Sequence, residues 1–343
     1  MRSDVKRILA IHVARIGDTL LTTAALRHLS RVYPGAQIDF MGHAKRIEVL
    51  EGLPYIHKLS GISKKSAQLK GWCAKFMGRK PYDLAVVWGH DPELVAYARR
   101  VSKVLVAGKQ LQASANAWPD VVVDFPNDTN LLIEAEDKPL VQWLLDVVEQ
   151  GTHTKAQDVY TDYVITDTEA EAAQALLAPL KSRPLIGLVV ESHPAGAHRD
   201  WPIDHFVELV AQISNEKPDA RFVLIGGPLG ASKAQALENV LGERLLNLTG
   251  KLGLRQSAAV IGQLDLYIGV DTGPSHIAAA LGTLSVVMFH CMRAGELLLA
   301  PRTSARMTII NHPTARAFCT FYTSMDAISV QIVLKACRKS LHK

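Results

Sequence analysis

Cysteines and long apolar runs are both scarce in this chain, and each scarcity excludes a class of protein. No C-x-x-C pair occurs among the four cysteines, which are Cys73, Cys291, Cys319 and Cys337. We therefore expect buried or idle thiols rather than a zinc knuckle or a disulfide framework. No apolar run reaches the ~20 residues of a membrane span, and Asp4, Lys6 and Arg7 lead into a strand-like segment rather than a signal-peptide core. These absences predict a cytoplasmic protein.

Acidic residues are absent from positions 64–80, a stretch that holds six basic residues although the net charge of the chain is only +5. If residues 65–76 form a helix, one apolar face would carry Leu69, Trp72, Cys73 and Phe76. Such a helix suits an anionic membrane surface. The alternative is a solvated basic helix that packs by the same face. Nucleic acid is not an expected partner, because the charge is local and no recognition motif accompanies it.

Strand-like and helix-like segments alternate along both halves of the chain. The 343 residues exceed what one hydrophobic core usually serves, so two domains are expected. Apolar runs typical of strands lie at 7–13, 37–41, 83–88, 104–107, 121–125, 185–190, 221–225, 264–270 and 284–289. Segments that favour helices lie at 18–32, 130–150, 168–180, 203–214, 232–241, 254–261 and 275–281.

This rhythm predicts an α/β fold with two doubly wound domains that face each other across a cleft. We expect the first domain at 1–175 and the second at 182–325, with a C-terminal helix over 326–343 that crosses back to the first domain. Ligands of such sheets bind beyond the carboxyl ends of the strands. Candidate site residues should therefore lie where a strand is followed by a helix.

The first such position is the segment ARIGD, which ends at Asp18. Gly17 permits a tight turn or the close approach of a ligand, and Asp18 stands at the start of the following helix. One interpretation is that Asp18 caps this helix, as Asp commonly does before an apolar helix. The other is that its carboxylate takes a proton from a substrate hydroxyl.

A second position is the segment GVDTGPSH at 269–276, directly after an apolar run. Pro274 suits the first turn of a helix, with Thr272 or Gly273 as the cap. The positive end of the helix dipole and free backbone N–H groups would bind an anion such as a diphosphate. Those N–H groups belong to Gly273, Ser275 and His276. An ordinary capped helix without a ligand is the alternative.

A third loop, HRDWP at 198–202, follows the first strand of the second half. The guanidinium of Arg199 stays charged and can neutralise a diphosphate leaving group. Arg199 could instead be a surface charge that pairs with Asp200. Trp201 resembles a structural anchor at the start of the next helix.

Glycines end the next strand, in the segment IGGP at 225–228. Gly226 and Gly227 would let a base or ribose lie against the backbone, although a turn without a ligand explains them almost as well. The alternation alone would also allow a nicotinamide-dependent oxidoreductase. The absence of G-x-G-x-x-G after the first strand argues against that class.

In their order and spacing, these motifs resemble glycosyltransferase family 9, the lipopolysaccharide heptosyltransferases, over almost the full chain. The matching segments are RIGDTLLTTAAL at 15–26, HRDWP at 198–202, LIGGP at 224–228, NLTGKLGL at 247–254 and GVDTGPSHIAAALG at 269–282. The resemblance implies a GT-B enzyme that transfers L-glycero-D-manno-heptose from ADP-heptose to the inner core of lipopolysaccharide, with inversion at the anomeric carbon. It implies no metal and no cofactor besides the donor, and no D-x-D pair of the metal-dependent kind is found.

The resemblance also suggests roles for single residues. Asp18 matches the proposed general base, and Arg199 matches a position where relatives often carry Lys on the donor phosphates. The other predicted donor-binding residues are Gly226, Gly227, Asp271, Thr272, Gly273, Ser275 and His276. The predicted acceptor-binding residues are Arg15, Gly17, Lys64, Lys65 and Lys70.

Two departures from the family pattern leave the donor open. Many relatives place a Glu shortly after the GxP turn, where it can hold the adenosine ribose, whereas this chain has Leu229-Gly230-Ala231. Relatives usually continue after Phe289 with Gly and a Thr/Pro-containing loop, but residues 290–296 here read HCMRAGE. The alternatives are a GT-B enzyme with a different nucleotide sugar and a non-catalytic protein that binds a nucleotide sugar.

The expected partners follow from the same resemblance. They are a nucleotide-sugar donor and a lipopolysaccharide core or related glycolipid acceptor, whose phosphates and acidic sugars would attract the lysines of residues 64–80. Peripheral contact with the cytoplasmic face of the inner membrane is a further expectation.

Overall fold

The chain folds into two compact units, Met1–Val164 and Ile165–Lys343. A computed structural model describes residues 4–77, 80–89, 91–108, 119–123, 138–180, 182–192 and 194–342. Each unit is built on its own six-stranded parallel sheet. The predicted fold class, α/β with two doubly wound domains, is thereby confirmed.

The sheet of the first unit has the order β3-β2-β1-β4-β5-β6. Its strands are β1 Arg7–His12, β2 Gln37–Gly42, β3 Lys58–Gly61, β4 Tyr82–Trp88, β5 Ser102–Gly108 and β6 Val121–Val123. The described helices of this unit are α1 Ile16–Val32, α2 Lys64–Met77, α3 Pro92–Val101 and α4 Leu140–Thr152. This strand order is that of the Rossmann fold, and the direction of winding reverses between β1 and β4.

The sheet of the second unit has the equivalent order, β9-β8-β7-β10-β11-β12, so its winding reverses between β7 and β10. Its strands are β7 Leu185–Val189, β8 Arg221–Leu224, β9 Leu245–Asn247, β10 Leu266–Val270, β11 Ser285–Phe289 and β12 Met307–Asn311. The helices are α5 Asp167–Leu177, α6 Ile203–Glu216, α7 Ala231–Leu241, α8 Leu254–Gly262, α9 Gly273–Leu281, α10 Gly295–Leu298 and α11 Val330–Leu341.

The central strands are buried because their sequences are apolar without interruption. Residues 8–11 of β1 have no exposed surface, and every residue of β10 is buried. Continuous apolar runs of this kind are typical of parallel strands that are covered on both faces. Burial of one Val, Leu or Ile side chain contributes roughly 1.5–3 kcal/mol, so these strands hold each unit together.

Most predicted elements lie where the sequence placed them, but three edge strands and two helices were not predicted. The missed edge strands β3, β9 and β12 read KLSG, LLN and MTIIN, with at most two consecutive apolar residues each, too few for a clear pattern. Helix α3, which begins at Pro92 with Asp91 as its N-cap, and the four-residue helix α10 were also missed. Residues 124–137, which include parts of a predicted strand and helix, lie outside the described residues.

The boundary between the units lies between Val164 and Ile165, ahead of the predicted end of the first domain at residue 175. Helix α5 therefore belongs to the second unit, where it packs on α8. The two helices are joined by an ion pair in which Arg255 Nη2 donates to Glu169 Oε2 at 2.7 Å. This contact lowers the pKa of the Glu169 carboxyl to about 2.

The C-terminal helix α11 also belongs to the second unit. Its buried side chains, Val330, Val333, Leu334 and Cys337, join the core of that unit, and the helix packs on α6. The crossing of this helix to the first domain stays a prediction. Trp201 is the anchor that the sequence suggested: it is fully buried, and its Nε1 donates to the carbonyl of Ile328 at 2.8 Å.

The expectation of four unpaired cysteines is wrong for two of them. Cys291 and Cys319 form a disulfide across 28 residues of sequence, with Cα atoms 5.7 Å apart. The pair was missed because the segment after β12 folds back to the end of β11. The spacing of the cysteines along the sequence does not reveal this contact. Cys73 is free and exposed, and Cys337 is free and buried.

The predicted basic helix is present as α2, and its apolar face is exposed. Leu69 and Trp72 are 64% and 60% exposed, whereas Ala67, on another side of the helix, is buried against α3. The alternative, in which this apolar face packs against the protein, is therefore wrong for Leu69 and Trp72. The side chain of Phe76 lies outside the described residues. In the described part of the chain, no helix is long and apolar enough to cross a membrane.

Candidate active site

Asp18 lies in the first turn of α1, at the carboxyl edge of the first sheet. Arg15 has an extended backbone and forms the N-cap, so Asp18 is the third residue of the helix. The interpretation of Asp18 as the cap is therefore wrong. Its side chain is half-buried, and a carboxylate in the first turn is stabilised by the positive end of the helix dipole.

The loop before Asp18 is held by two hydrogen bonds. Arg46 Nη1 donates to the carbonyl of Ala14 at 2.8 Å, and Thr19 Oγ1 donates to the carbonyl of Arg15 at 2.8 Å. Gly17 is buried within α1, so of the two roles suggested for it the tight turn is wrong. Arg46, which follows β2, was not predicted as a site residue, because no motif marks it.

The predicted acceptor-binding lysines lie on α2, which follows β3. Lys64 and Lys65 occupy its first turn and are exposed, and Lys64 Nζ lies 2.8 Å from Asp91 Oδ2. They share the carboxyl edge of the sheet with Arg15 and Gly17. Lys70 stands six residues beyond Lys64, about 9 Å further along the helix axis at 1.5 Å per residue.

His12 is a buried polar residue at this edge that the sequence did not single out. It ends β1, is 8% exposed, and its Nδ1 has no hydrogen-bond partner among the described residues. Burial lowers the pKa of His12 to about 4, so the ring is neutral at pH 7. The edge ring contact with Trp88, at 6.1 Å between centroids, fixes its position.

The second unit brings three predicted donor-binding residues together at the switch point between β7 and β10. Arg199 ends a 3₁₀ helix that follows β7, and its Nη1 donates to Asp271 Oδ2 at 2.7 Å. Nε2 of His276 lies 4.0 Å from Asp271 Oδ1. The three side chains are 19%, 12% and 11% exposed. A Cβ at Gly196 would lie 2.1 Å from Arg199 Nη2, so this glycine makes room for the guanidinium.

The alternative pairing of Arg199 with Asp200 is wrong. Asp200 Oδ1 accepts hydrogen bonds from the backbone and hydroxyl of Ser192, each at 2.7 Å. Its Oδ2 accepts from Lys233 Nζ at 2.7 Å. Asp200 therefore fixes the loop after β7, and Arg199 is left with Asp271.

Helix α9 begins at Gly273 with Thr272 as its N-cap, as predicted. The backbone N–H groups of Ser275 and His276 are not free, however, because both donate to the carbonyl of Thr272, at 3.1 and 3.4 Å. The Ser275 side chain has no exposed surface, and its hydroxyl donates to the carbonyl of Val270 at 2.6 Å. The prediction of an anion cradle is therefore wrong for the N–H groups of Ser275 and His276.

Glu191 is a candidate that was not predicted from the sequence. It follows β7, and its carboxylate lies beside the IGGP turn: a Cβ on Gly226, Gly227 or Gly230 would come within 3.5, 3.7 and 3.1 Å of Oε1. Burial raises the pKa of the Glu191 carboxyl. A hydrogen bond from the backbone of Gly230 and the positive charge of Lys233 act in the opposite direction. A carboxylate thus stands beside the IGGP turn, and it comes from the segment that follows the neighbouring strand β7.

The NLTG segment supports the same turn. Thr249 Oγ1 donates to Asn247 Oδ1 at 2.6 Å, and Gly250 N donates to the carbonyl of Gly226 at 2.9 Å. Gly250 has a φ of 68°, in the region that favours glycine, and a Cβ there would lie 3.1 Å from the Pro228 backbone. This motif therefore has a structural role in holding Gly226.

Comparison with known proteins identifies the family to which the chain belongs. The family model described as glycosyltransferase family 9 (heptosyltransferase) matches residues 121–315, more than half of the chain. Lipopolysaccharide heptosyltransferase 3 of Escherichia coli K12 is 27% identical over 286 residues, which cover 80% of this chain and 79% of the relative.

Two solved structures share the fold over nearly the whole chain. The glycosyl transferase family 9 protein of Veillonella parvula has a TM-score of 0.81 at 18% identity, covering 100% of this chain and 99% of its own. ADP-heptose lipopolysaccharide heptosyltransferase II of E. coli has a TM-score of 0.78 at 20% identity, covering 98% of each chain. The chain therefore belongs to glycosyltransferase family 9 (heptosyltransferase) and is a glycosyltransferase with the GT-B fold.

Proposed function

We propose that this glycosyltransferase moves a heptose from ADP-heptose to the lipopolysaccharide core. The observation that carries the proposal is the group of Arg199, Asp271 and His276 at the switch point of the second sheet, beside the N-terminus of α9. An arginine beside a helix N-terminus suits the diphosphate of a nucleotide sugar. The names of the relatives support the sugar, since they specify lipopolysaccharide heptosyltransferases and, for one structure, ADP-heptose.

In the proposed reaction, Asp18 is the general base. Its carboxylate takes the proton of an acceptor hydroxyl as the hydroxyl oxygen attacks the anomeric carbon from the face opposite the diphosphate. The bond from that carbon to the diphosphate oxygen breaks in the same displacement, so the configuration inverts. Negative charge develops on the leaving diphosphate, and Arg199 stabilises it. The displacement uses no metal ion.

At the adenosine end, we assign Glu191 to the ribose hydroxyls. Its carboxylate lies beside Gly226 and Gly227, whose lack of side chains leaves the turn open to a ligand. A carboxylate accepts hydrogen bonds from a vicinal diol well, and hydrogen bonds to charged groups contribute roughly 1.5–3 kcal/mol. This assignment offers an answer to the missing Glu after the IGGP turn.

The variant Glu191→Gln is expected to weaken ADP binding by at least about tenfold, the equivalent of roughly 1.5 kcal/mol. The lost affinity should come from the contact with the ribose hydroxyls. Calorimetric titration with ADP and with 2′-deoxy-ADP measures this: the wild-type protein should prefer ADP, and the variant should bind both with similar affinity.

The matched control is Glu208→Gln, which removes an exposed carboxylate on α6 of the same unit. It should leave both affinities unchanged. If Glu191→Gln keeps the wild-type preference for ADP over 2′-deoxy-ADP, Glu191 does not hold the ribose.

On the acceptor side, we propose that Lys64 and Lys65 attract the phosphates of the lipopolysaccharide core, together with Arg15 at the same edge of the first sheet. The exposed Leu69 and Trp72 on α2 then fit a membrane surface that carries the acceptor. Apolar side chains flanked by lysines are the usual composition of a helix that lies on anionic lipid.

The double variant Leu69→Ser/Trp72→Ser is expected to reduce binding to vesicles that contain phosphatidylglycerol by at least about tenfold, because two apolar side chains no longer enter the interface. Co-sedimentation with vesicles measures it. The control Ile332→Ser changes a residue on α11 that is 50% exposed and should bind like the wild type. Equal binding of all three proteins would contradict a membrane role for this face.

Donor profiling separates the proposed donor from other nucleotide sugars and from a non-catalytic role. The purified protein is incubated with ADP-heptose, or with other ADP-, UDP- and GDP-sugars, and truncated lipopolysaccharide; mass spectrometry follows the acceptor. One added heptose, with ADP-heptose only, is expected. Transfer from a UDP- or GDP-sugar alone would replace the proposed donor, and binding without any product would indicate a non-catalytic protein.

A further inference from the structure

A histidine and two cysteines converge at the end of β11. The ligand atoms of His290, Cys291 and Cys319 all lie within 4.8 Å of one another. Nδ1 of His290 is 3.9 Å from the sulfur of Cys291 and 3.9 Å from that of Cys319. His290 is 4% exposed and Cys291 8% exposed, so the group is shielded from solvent on the side of the sheet.

The histidine is oriented as metal-binding histidines are. Its Nε2 lies 2.8 Å from the carbonyl of Thr323, which can only accept, so Nε2 carries the proton. Nδ1 is then the unprotonated nitrogen; it lies 3.9 Å from each sulfur and accepts a hydrogen bond from the N–H of Met292 at 3.3 Å, which a bound cation would replace. A second ring nitrogen that donates to a backbone carbonyl is the common support of a histidine ligand.

The spacing of the three atoms suits a tetrahedral ion. Bonds of about 2.3 Å to sulfur and about 2.0–2.1 Å to nitrogen place the nitrogen about 3.6 Å from each sulfur and the sulfurs about 3.8 Å apart. The nitrogen-to-sulfur distances of 3.9 Å are already close to this. Only the two sulfurs must separate, and the Cα distance of 5.7 Å leaves room for that.

We propose that the reduced protein binds one thiolate-seeking divalent cation, of the Zn²⁺ or Fe²⁺ class, through Cys291 Sγ, Cys319 Sγ and His290 Nδ1, with water as a fourth ligand. The disulfide is the oxidised form of the same pair. Two molecules of a small thiol reduce it to two cysteine thiols and become a disulfide themselves. The two thiols then release two protons as they bind the cation.

Reducing compartments favour the metal-bound form, because disulfides are rare there and cysteines close to other ligands usually bind metal or act in catalysis. The site lies beside the Arg199 loop, because the ring of His290 contacts the ring of His198 at 5.0 Å between centroids. Its proposed role is structural. It ties the segment that contains Cys319 to the end of β11. Phe321 of that segment packs on His198, with ring centroids 4.1 Å apart, and His198 precedes Arg199. The cation would thus hold the segment that contains Phe321 in place against the loop of Arg199.

Cobalt(II) is the probe, because thiolate ligands give it an absorption in the near ultraviolet from charge transfer. The full-length protein is reduced, freed of metal with a chelator and titrated with Co²⁺ without oxygen. We expect one equivalent to produce the thiolate band. The variants Cys291→Ser and Cys319→Ser should lose the band, and His290→Gln should bind at least about 100-fold more weakly, since loss of a ligand exceeds the 10–100-fold typical of its supporting contacts. Cys73→Ser, which removes an exposed cysteine elsewhere, should match the wild type.

A second measurement needs no variant and so does not depend on how the variants fold. The reduced wild-type protein is alkylated with a maleimide, with and without Zn²⁺, and the modified cysteines are identified by peptide mass. Protection of Cys291 and Cys319 by Zn²⁺, with Cys73 still modified, is expected. Equal alkylation of Cys291 and Cys319 in both samples, or a wild-type titration without the thiolate band, would overturn the proposal.

Discussion

Replacement of Asp18 by Asn is expected to lower kcat by at least about 10²–10⁴-fold, which is the usual contribution of a positioned general base. The amide keeps the size of the side chain but cannot take a proton from the acceptor hydroxyl. Because Asp18 belongs to the first unit and the proposed donor residues to the second, the affinity for ADP should stay within about twofold of the wild type. Steady-state kinetics and calorimetric titration with ADP measure the two quantities.

The control for this variant is Asp158→Asn. Asp158 is also an acidic residue of the first unit, but it pairs with Arg31 at the last turn of α1, 2.6 Å away, whereas Asp18 lies in the first turn. The kcat of Asp158→Asn should equal that of the wild type. Wild-type turnover in Asp18→Asn would remove Asp18 from its role, whatever the behaviour of Asp158→Asn.

Replacement of Arg199 by Gln is expected to weaken ADP binding by roughly 10–150-fold. This range corresponds to roughly 1.5–3 kcal/mol for hydrogen bonds to a charged group. The variant also leaves Asp271 without its ion-pair partner at 2.7 Å, so part of the loss comes from repulsion between that carboxylate and the diphosphate. Arg199→Lys keeps the charge and should retain part of the affinity.

The chain offers a closely matched control for Arg199. Arg183 pairs with Asp265 at 2.8 Å, and these residues precede β7 and β10, whereas Arg199 and Asp271 follow the same two strands. Arg183→Gln thus removes an arginine-aspartate pair from the opposite edge of the same sheet. It should leave ADP affinity unchanged. Equal losses in both variants would indicate a general effect on the unit rather than contact with the diphosphate.

The positions of the site residues along the fold could be predicted because motifs fell at the ends of recognisable strands. Arg199 and Asp271 follow long apolar runs, and parallel strands end at one edge, so their meeting required only the strand order. The buried role of Trp201 followed from its place at the start of a helix. The placement of the two domains across a cleft stays a prediction.

Other parts of the site depend on contacts that sequence spacing does not show. Glu191 stands far from the IGGP turn in sequence and reaches it only because β7 pairs with β8. A single Glu after an apolar run does not by itself indicate a ligand-binding residue, whereas a glycine-rich turn does. Ser275 was assigned to the donor because its N–H lies near a helix start, yet that N–H is bonded within the turn. The Cys291–Cys319 pair joins two loops that follow different strands.

The shortness of the edge strands has a consequence for the behaviour of the protein in solution. Parallel sheets assemble from segments distant in sequence and therefore form slowly, with strands exposed in the meantime. An exposed edge can pair with the edge of another molecule and begin aggregation. With four residues in β3, three each in β6 and β9, and five in β12, these edges offer few unpaired backbone groups to a neighbouring chain. The sheets thus keep their buried strands in the centre, where another molecule cannot reach them.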